Sequence, residues 1–307
     1  MAEQLLQLTG VHGLAPRVRA LADWLRLLRL PHWAKNAMVF PAVLLAGRAV
    51  DPLAWRQAVW GFAVFCLASS SVYVANDLFD CQADRLHPSK RRRPLAAGRC
   101  GARVAVWTAA LLALSALALA VWAPAPTAVC VLAYLALNLA YSLRLKHVPI
   151  VGGCCIATGF ALRLVGSLGA PGLELRQWLL LASVFLLCFS VALAKRTADL
   201  RLLNGGMPMT PAGSGSDGYT VDALRCLLPA SIVATILVYG LFVWVVGQGV
   251  GLPLLTLLPV VFSLLRLARL STTGAYAEQI DLMRSDGRLL AAVSVWLALW
   301  GWIGITG

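Results

Sequence analysis

Three aspartates, Asp77, Asp80 and Asp84, stand close together in the stretch NDLFDCQADRLHPSKRRRP, residues 76–94. On a helix the spacing i, i+3, i+7 puts all three carboxylates on one face. Such a row repels itself unless positive charge sits within it. Oxygen-rich clusters suit a hard cation such as Mg2+, which is commonly held by one or two carboxylates plus phosphate oxygens. Lys90, Arg91, Arg92 and Arg93 follow, in position to hold phosphate. Acids followed by bases are what a metal–diphosphate site needs. A solvated loop between membrane helices would account for the basic run alone. Three acids in helical register at a membrane edge have little structural use.

The elements that must position this row are membrane helices. The apolar run Trp60 to Ala75 leads directly into it, and carboxylates at the end of such a helix are functional suspects. A span needs about 20 apolar residues. Runs at 31–47, 54–76, 103–122, 126–143, 149–168, 177–198, 223–246, 251–269 and 288–305 give nine candidates. Pro31, Pro124, Pro126, Pro149, Pro171 and Pro253 fall near their boundaries, as breakers do. The first run is short and carries Lys35 and Asn36, so a tilted entry is expected. Of 307 residues, 60% are hydrophobic and 13% charged, against about 25% charged in a soluble domain. The expected fold is an all-α polytopic membrane protein, one domain over 1–307.

Charge orients the chain. With a cytoplasmic N-terminus, only Arg48, Arg56 and Arg176 of the 26 Lys and Arg fall on the opposite side, and Arg163 lies inside the fifth run. The acid row and the basic run then share the cytoplasmic face. The net charge of +13, so distributed, implies a membrane surface and no nucleic acid. Residues 1–28 read as a cytoplasmic arm without the apolar core of a signal peptide, and 204–222 as a flexible loop, a lid or a plain linker. The eight cysteines form no CxxC pair and read as small buried hydrophobes.

Further polar residues stand apart from the row. Tyr141, Arg144, Lys146 and His147 close the fourth run, where an interfacial anchor is the plainer reading. Lys195, Arg196 and Asp199 end the sixth, as a phosphate grip or a helix cap. Arg163 within the fifth run calls for an anion or carboxylate partner, or snorkels to the interface. Asp281, Arg284, Asp286 and Arg288 read as a solvated loop. Trp33 reads as an interfacial belt residue, while Lys35 is within reach of the site.

The motif Asn76-Asp77-x-x-Asp80-x-x-x-Asp84, with His87-Pro88-x-Lys90-x-x-Arg93-Pro94-x-x-x-Gly98, resembles the first Asp-rich motif of the UbiA superfamily of intramembrane prenyltransferases. The likeness extends to Leu30-Pro31-His32-Trp33-x-Lys35-Asn36, Tyr141-Ser142-x-x-Leu145-Lys146, Gly159-Phe160-x-Leu162-Arg163 and Lys195-Arg196-x-Ala198-Asp199. These look like the branch of polyprenyl-phosphate phosphoribosyltransferases. The resemblance implies a nine-helix bundle with a cytoplasmic-side polar cavity. It implies transfer of phosphoribose from phosphoribosyl diphosphate to a polyprenyl phosphate. Asp77, Asp80 and Asp84 would hold Mg2+, and Asn76 would position ligand oxygens. Lys35, Lys90, Arg91, Tyr141, Lys146, Lys195 and Arg196 would grip phosphates, with Arg163 among the substrate-binding residues. A homo-oligomer, a trimer by analogy, is implied as well. There is one departure. Where the family usually places a second acidic site there is Gly152, followed by Gly153. This counts against the alternative of prenyl transfer to an aromatic or quinone precursor. A non-catalytic transporter is the alternative of another class, and the clustering of polar residues on one face counts against it.

Overall fold

The computed structural model describes residues 14–86, 90–123, 126–169, 174–204, 220–247, 251–272 and 286–306. His87 and Pro88 of the motif, most of the expected 204–222 loop, and Asp281 and Arg284 lie outside the described residues.

The chain begins with α1 (Leu14–Leu28), a 3-10 helix (Leu30–Met38) and the short α2 (Val39–Leu45). The helix α3 (Pro52–Phe79) leads into α4 (Cys81–Leu86) and a 3-10 turn (Lys90–Arg92). Next come α5 (Ala102–Val121) and α6 (Pro126–Leu143), a 3-10 turn (Leu145–His147), α7 (Val151–Leu168) and α8 (Leu175–Asn204). The last are α9 (Val221–Val246), α10 (Leu252–Leu255), α11 (Leu257–Thr272) and α12 (Gly287–Thr306). Among the described residues there is no strand.

Among the described residues, eight helical stretches are long and apolar enough to cross a membrane, counting α10 and α11 as one. The ninth expected span is the first apolar run, and it is not one α-helix. Proline at 31 and 41 and polar side chains at 35 and 36 break it into the 3-10 helix and α2. At about 2.0 Å per residue for the first part and 1.5 Å for the second, the pair reaches roughly 28 Å, close to the thickness of a bilayer core.

The most buried span is α3. In lipid there is little hydrophobic gain from burying one helix on another, so close approach of small residues does the packing. Gly61 of α3 lies against Ser167 of α7 so tightly that a Cβ would sit 2.3 Å from its Oγ. Val64, Phe65 and Ala68, on the same face as Gly61, pack with Ala116 of α5 and Val131 and Tyr134 of α6. Ser69, Ser70 and Ser71 are buried and bond to Cys66 O (3.1 Å), Leu28 O (2.9 Å) and Ala109 O (2.8 Å). A second cluster joins α2, α7, α8, α9 and α12 through Ala42, Leu164, Leu180, Phe242 and Trp300. Trp33 is half-buried and donates to Ser70 Oγ at 2.9 Å, so it tethers the 3-10 helix to α3 and is no belt residue.

Candidate functional site

The helix carrying the acid row stops inside it. Phe79 ends α3, Asp80 caps it outside α geometry (φ −90°, ψ 2°), and Cys81 starts α4. The expected single face is therefore corrected: Asp77 is on α3, Asp80 on the junction and Asp84 on the next helix. Asp77 and Asp84 are 2% and 3% exposed. Arg93 joins them, its Nη1 lying 3.1 Å from Asp77 Oδ1 and 2.6 Å from Asp84 Oδ2. Arg29 pairs with the same Asp77 oxygen. Asp80 turns elsewhere, to Lys146 Nζ at 2.8 Å. Each carboxylate thus has a base delivered by a different segment of chain.

Of these bases, Arg29 is outside the sequence-based set, and Arg93 stands in it only as one member of the basic run. Arg29 sits in the left-handed region (φ 52°) between α1 and the 3-10 helix. That conformation is uncommon for a side-chain-bearing residue and accumulates at functional sites. It aims the guanidinium at Asp77 and over the Tyr73 ring, 5.1 Å from the centroid. Arg93 is singled out by the turn: three residues per 3-10 turn put 90 and 93 on one side. Arg91, expected at the site, is exposed, as is Arg92. Lys90 is held below the usual lysine range by burial and by the Arg93 charge, against the opposing pull of Asp84 and Asp80.

Beside the row lies a polar cavity of about 200 Å³ lined by Lys35, Tyr73, Asn138, Tyr141, Arg163 and Lys195, among others. Tyr134, Asn138 and Tyr141 stand at i, i+4 and i+7 and so share the face of α6 that lines it. Arg163 neither snorkels nor meets a carboxylate. It is buried, donating to Asn36 Oδ1 (2.7 Å), Gly159 O (2.9 Å) and Tyr134 Oη (2.7 Å). Its guanidinium lies over the rings of Tyr134 and Phe160, 4.5 and 4.9 Å from their centroids. All three acceptors are neutral, so its charge is left for the cavity, which Lys35 and Lys195 also line. Such a cavity selects anions. Asn36, also missed from sequence, is 1% exposed and donates to Ser69 Oγ at 3.1 Å.

The remaining expected residues border these features. Asn76 hydrogen-bonds Ser142, which reaches Asn138 O at 2.7 Å. Arg196 is half-buried on α8, and Asp199 feels the charges of Lys195, Arg196 and Lys90. Gly152 is buried where α7 begins, and a Cβ there would stand 3.4 and 3.5 Å from the carbonyl oxygens of Leu145 and Lys146. The bare glycine lets the turn carrying Lys146 settle on the helix start. Cys81 Sγ approaches Leu95 O at 3.7 Å.

A third feature is an apolar cavity of about 500 Å³ whose lining includes Ala34, Ala37, Met38, Pro41, Leu180, Tyr239 and Trp296. The 3-10 helix divides it from the polar one. Three residues per turn send Lys35 to the polar cavity, Asn36 to the α3–α7 core, and Ala34 and Ala37 to the apolar cavity.

The donors fit a hard cation. Asp77 and Asp84 offer carboxylate oxygens to one cationic nitrogen between them, and a Mg2+ held with substrate phosphates asks for little more. Among the described residues no three His, Cys, Asp or Glu converge into a metal cage, consistent with Asp80 facing Lys146.

Residues 37–285 match the profile of the UbiA prenyltransferase family. The chain is similar to a decaprenyl-phosphate phosphoribosyltransferase of Mycolicibacterium smegmatis, 31% identical over 307 residues, covering 95% of this chain and 93% of the relative. A decaprenyl-phosphate phosphoribosyltransferase of Mycobacterium tuberculosis is 33% identical over 294 residues, covering 93% and 95%. In fold, the chain resembles a UbiA homolog from Archaeoglobus fulgidus bound to GPP and Mg2+. That likeness has a TM-score of 0.69 at 17% identity and covers 93% of this chain and 100% of the other.

Proposed function

Because the chain belongs to the UbiA prenyltransferase family, a family of membrane transferases, we propose that it moves 5-phosphoribosyl from phosphoribosyl diphosphate to a polyprenyl phosphate, releasing diphosphate. The relatives that carry this activity in their names resemble it along nearly their whole length. The observation that carries the reading is the 3-10 helix Leu30–Met38, which forms a wall of both a basic cavity and an apolar one. A phosphate on a long hydrocarbon has that shape. Its phosphate would enter among Lys35, Arg163 and Lys195, and its isoprenoid chain would lie along Ala34, Ala37 and Pro41.

The donor diphosphate lies, on this reading, between the acid row and Lys90, Lys146 and Arg93. Asp77 and Asp84 would hold Mg2+, which when bound neutralises charge growing on the leaving diphosphate, while Asp80 stays paired with Lys146 beside them. Lys90 and Lys146 hold the same charge from the protein side. The acceptor phosphate is already an anion and needs no general base. Tyr141 and Asn138 orient oxygens at the cavity wall, and Asn76, fixed through Ser142, borders the row. The proposed orientation is N-terminus cytoplasmic, which puts this face toward soluble donor.

Gly152 bears on the alternative. With glycine at this position the chain lacks the second acidic site, which disfavours prenyl transfer to an aromatic acceptor. The deciding experiment uses the purified chain in liposomes with Mg2+. One arm receives labelled phosphoribosyl diphosphate with polyprenyl phosphate, the other labelled prenyl diphosphate with 4-hydroxybenzoate. Label in a new lipid-soluble product is expected in the first arm. A prenylated product in the second arm alone would reverse the assignment.

A further inference from the structure

We propose that Arg93 is the site's built-in counter-ion. It holds Asp77 and Asp84 together in place of a divalent cation, and it yields that place only when a diphosphate arrives to take up its guanidinium. The inference rests on the reading of the acid row as a metal–diphosphate site and adds an order of binding to it.

The geometry distinguishes Arg93 from the other bases. One nitrogen, Nη1, reaches both buried carboxylates, at 3.1 and 2.6 Å. That is the bridging position a cation would take between them. The backbone of Arg93 is anchored, its N–H donating to Lys90 O and its carbonyl accepting from Ala97 N–H, both at 2.9 Å. Only the side chain has to move, and it is 26% exposed, so it has somewhere to go. Arg29 is different. Its left-handed backbone and its seat over Tyr73 fix it on Asp77, so it serves as a permanent partner.

Charge then dictates the order. Arg29 and Arg93 balance the two buried carboxylates. A divalent cation entering by itself leaves an excess of two positive charges in a buried place, whether Arg93 stays or is merely crowded aside. Lys90 and Lys195, which interact electrostatically with one another nearby, add to the penalty. A diphosphate removes it by offering anionic oxygens both to the cation and to the released guanidinium, the bidentate partner that Arg prefers. The cation therefore enters with diphosphate and binds weakly without it. An enzyme so built does not fill its metal site in the absence of donor.

Mn2+ is a suitable probe, measured by co-sedimentation with proteoliposomes of zwitterionic lipid carrying the full chain. Inorganic diphosphate stands in for the donor. The wild-type chain is expected to retain Mn2+ only when diphosphate is present. Arg93→Gln is expected to bind Mn2+ without diphosphate at least about tenfold more tightly than wild type, the size of effect one adjacent opposite charge has on a carboxylate. Arg93→Lys, which keeps the charge but bridges less well, should fall between the two and guards against misfolding of the glutamine variant. Adding Asp84→Asn to Arg93→Gln should abolish the gain. Equal Mn2+ retention by wild type with and without diphosphate would overturn the exchange and leave the transfer reaction standing. So would an unchanged Arg93→Gln, or a gain that survives Asp84→Asn. Absence of Mn2+ under every condition would overturn both the exchange and the metal-site reading beneath it.

Discussion

Arg163 Nε donates to Asn36 Oδ1 at 2.7 Å across 127 residues of chain. The bond joins the broken first apolar segment to the middle of α7 and turns a buried guanidinium toward the polar cavity. Asn36→Ala strands that donor, and an unmet buried donor costs about 1–3 kcal/mol. A fall in thermal midpoint measured in detergent is expected. Arg163→Lys keeps a charge but loses the planar fork. It should raise the KM for a phosphorylated substrate more than it lowers the melting temperature. Unchanged KM values in a stable Arg163→Lys chain would take Arg163 out of substrate binding.

Asp77→Asn and Asp84→Asn should each lower kcat by roughly a hundredfold, the scale on which removing one transition-state electrostatic partner is felt. Asp80→Asn should cost less in stability, because its pair with Lys146 is more exposed: the Asp80 side chain is 36% exposed, against 3% and 4% for those of Asp77 and Asp84. Steady-state rates and melting curves of the three variants separate these effects. Equal rate losses with wild-type stability at all three positions would argue for a symmetric cage and against the split row.

Lys90 is depressed below the ordinary lysine range, chiefly by burial and then by Arg93. A bound phosphate restores its proton affinity, so above the free-site pKa binding must draw a proton from solution. The sign is that donor affinity is flat at lower pH and falls as pH rises, up to about tenfold per pH unit. The fall should begin below the usual lysine range. Lys90→Arg, which stays charged, should extend the flat region to higher pH. A donor KM with the same alkaline limb in Lys90→Arg would assign that limb to another group.

Gly61→Ala places a Cβ within 2.3–2.7 Å of Ser167 and forces α3 and α7 apart. Overpacking of this kind typically costs about 1–3 kcal/mol. The melting temperature should fall, with Gly301→Ala, where a Cβ meets nothing within 4 Å, as the tolerated control. Equal melting temperatures for the two would mean that the α3–α7 contact is looser than drawn.

The helical class and most spans are legible because lipid imposes long apolar runs: 126–143 matches to the residue, and the other continuous runs come within a few positions, apart from the C-terminal end of α8. The first run resisted the same reasoning, since length and apolarity do not tell an α-helix from a 3-10 helix whose larger rise covers the same thickness. Lys35, Tyr141, Arg163 and Lys195 were picked as separate clusters, and only the fold brings them to one cavity. Lys146 and Asp80 were both picked, but their pairing depends on the turn seated over Gly152. Arg29 was hidden because its role comes from a backbone conformation, which composition does not reveal. Arg91 was chosen over Arg93 because adjacent bases look equivalent until the turn assigns them sides.

The threefold winding of Leu30–Met38 also shapes how this protein can be altered. Inserting a single residue ahead of Lys35 would rotate the register by a third of a circle and set Ala34 at the polar cavity, and deleting one would set Lys35 at the apolar cavity. Insertion of three residues keeps the faces in register. Enlarging or shrinking positions 34, 37 and 41 reshapes the apolar cavity while leaving the basic one and the acid row as they are, so the two cavities can be altered independently.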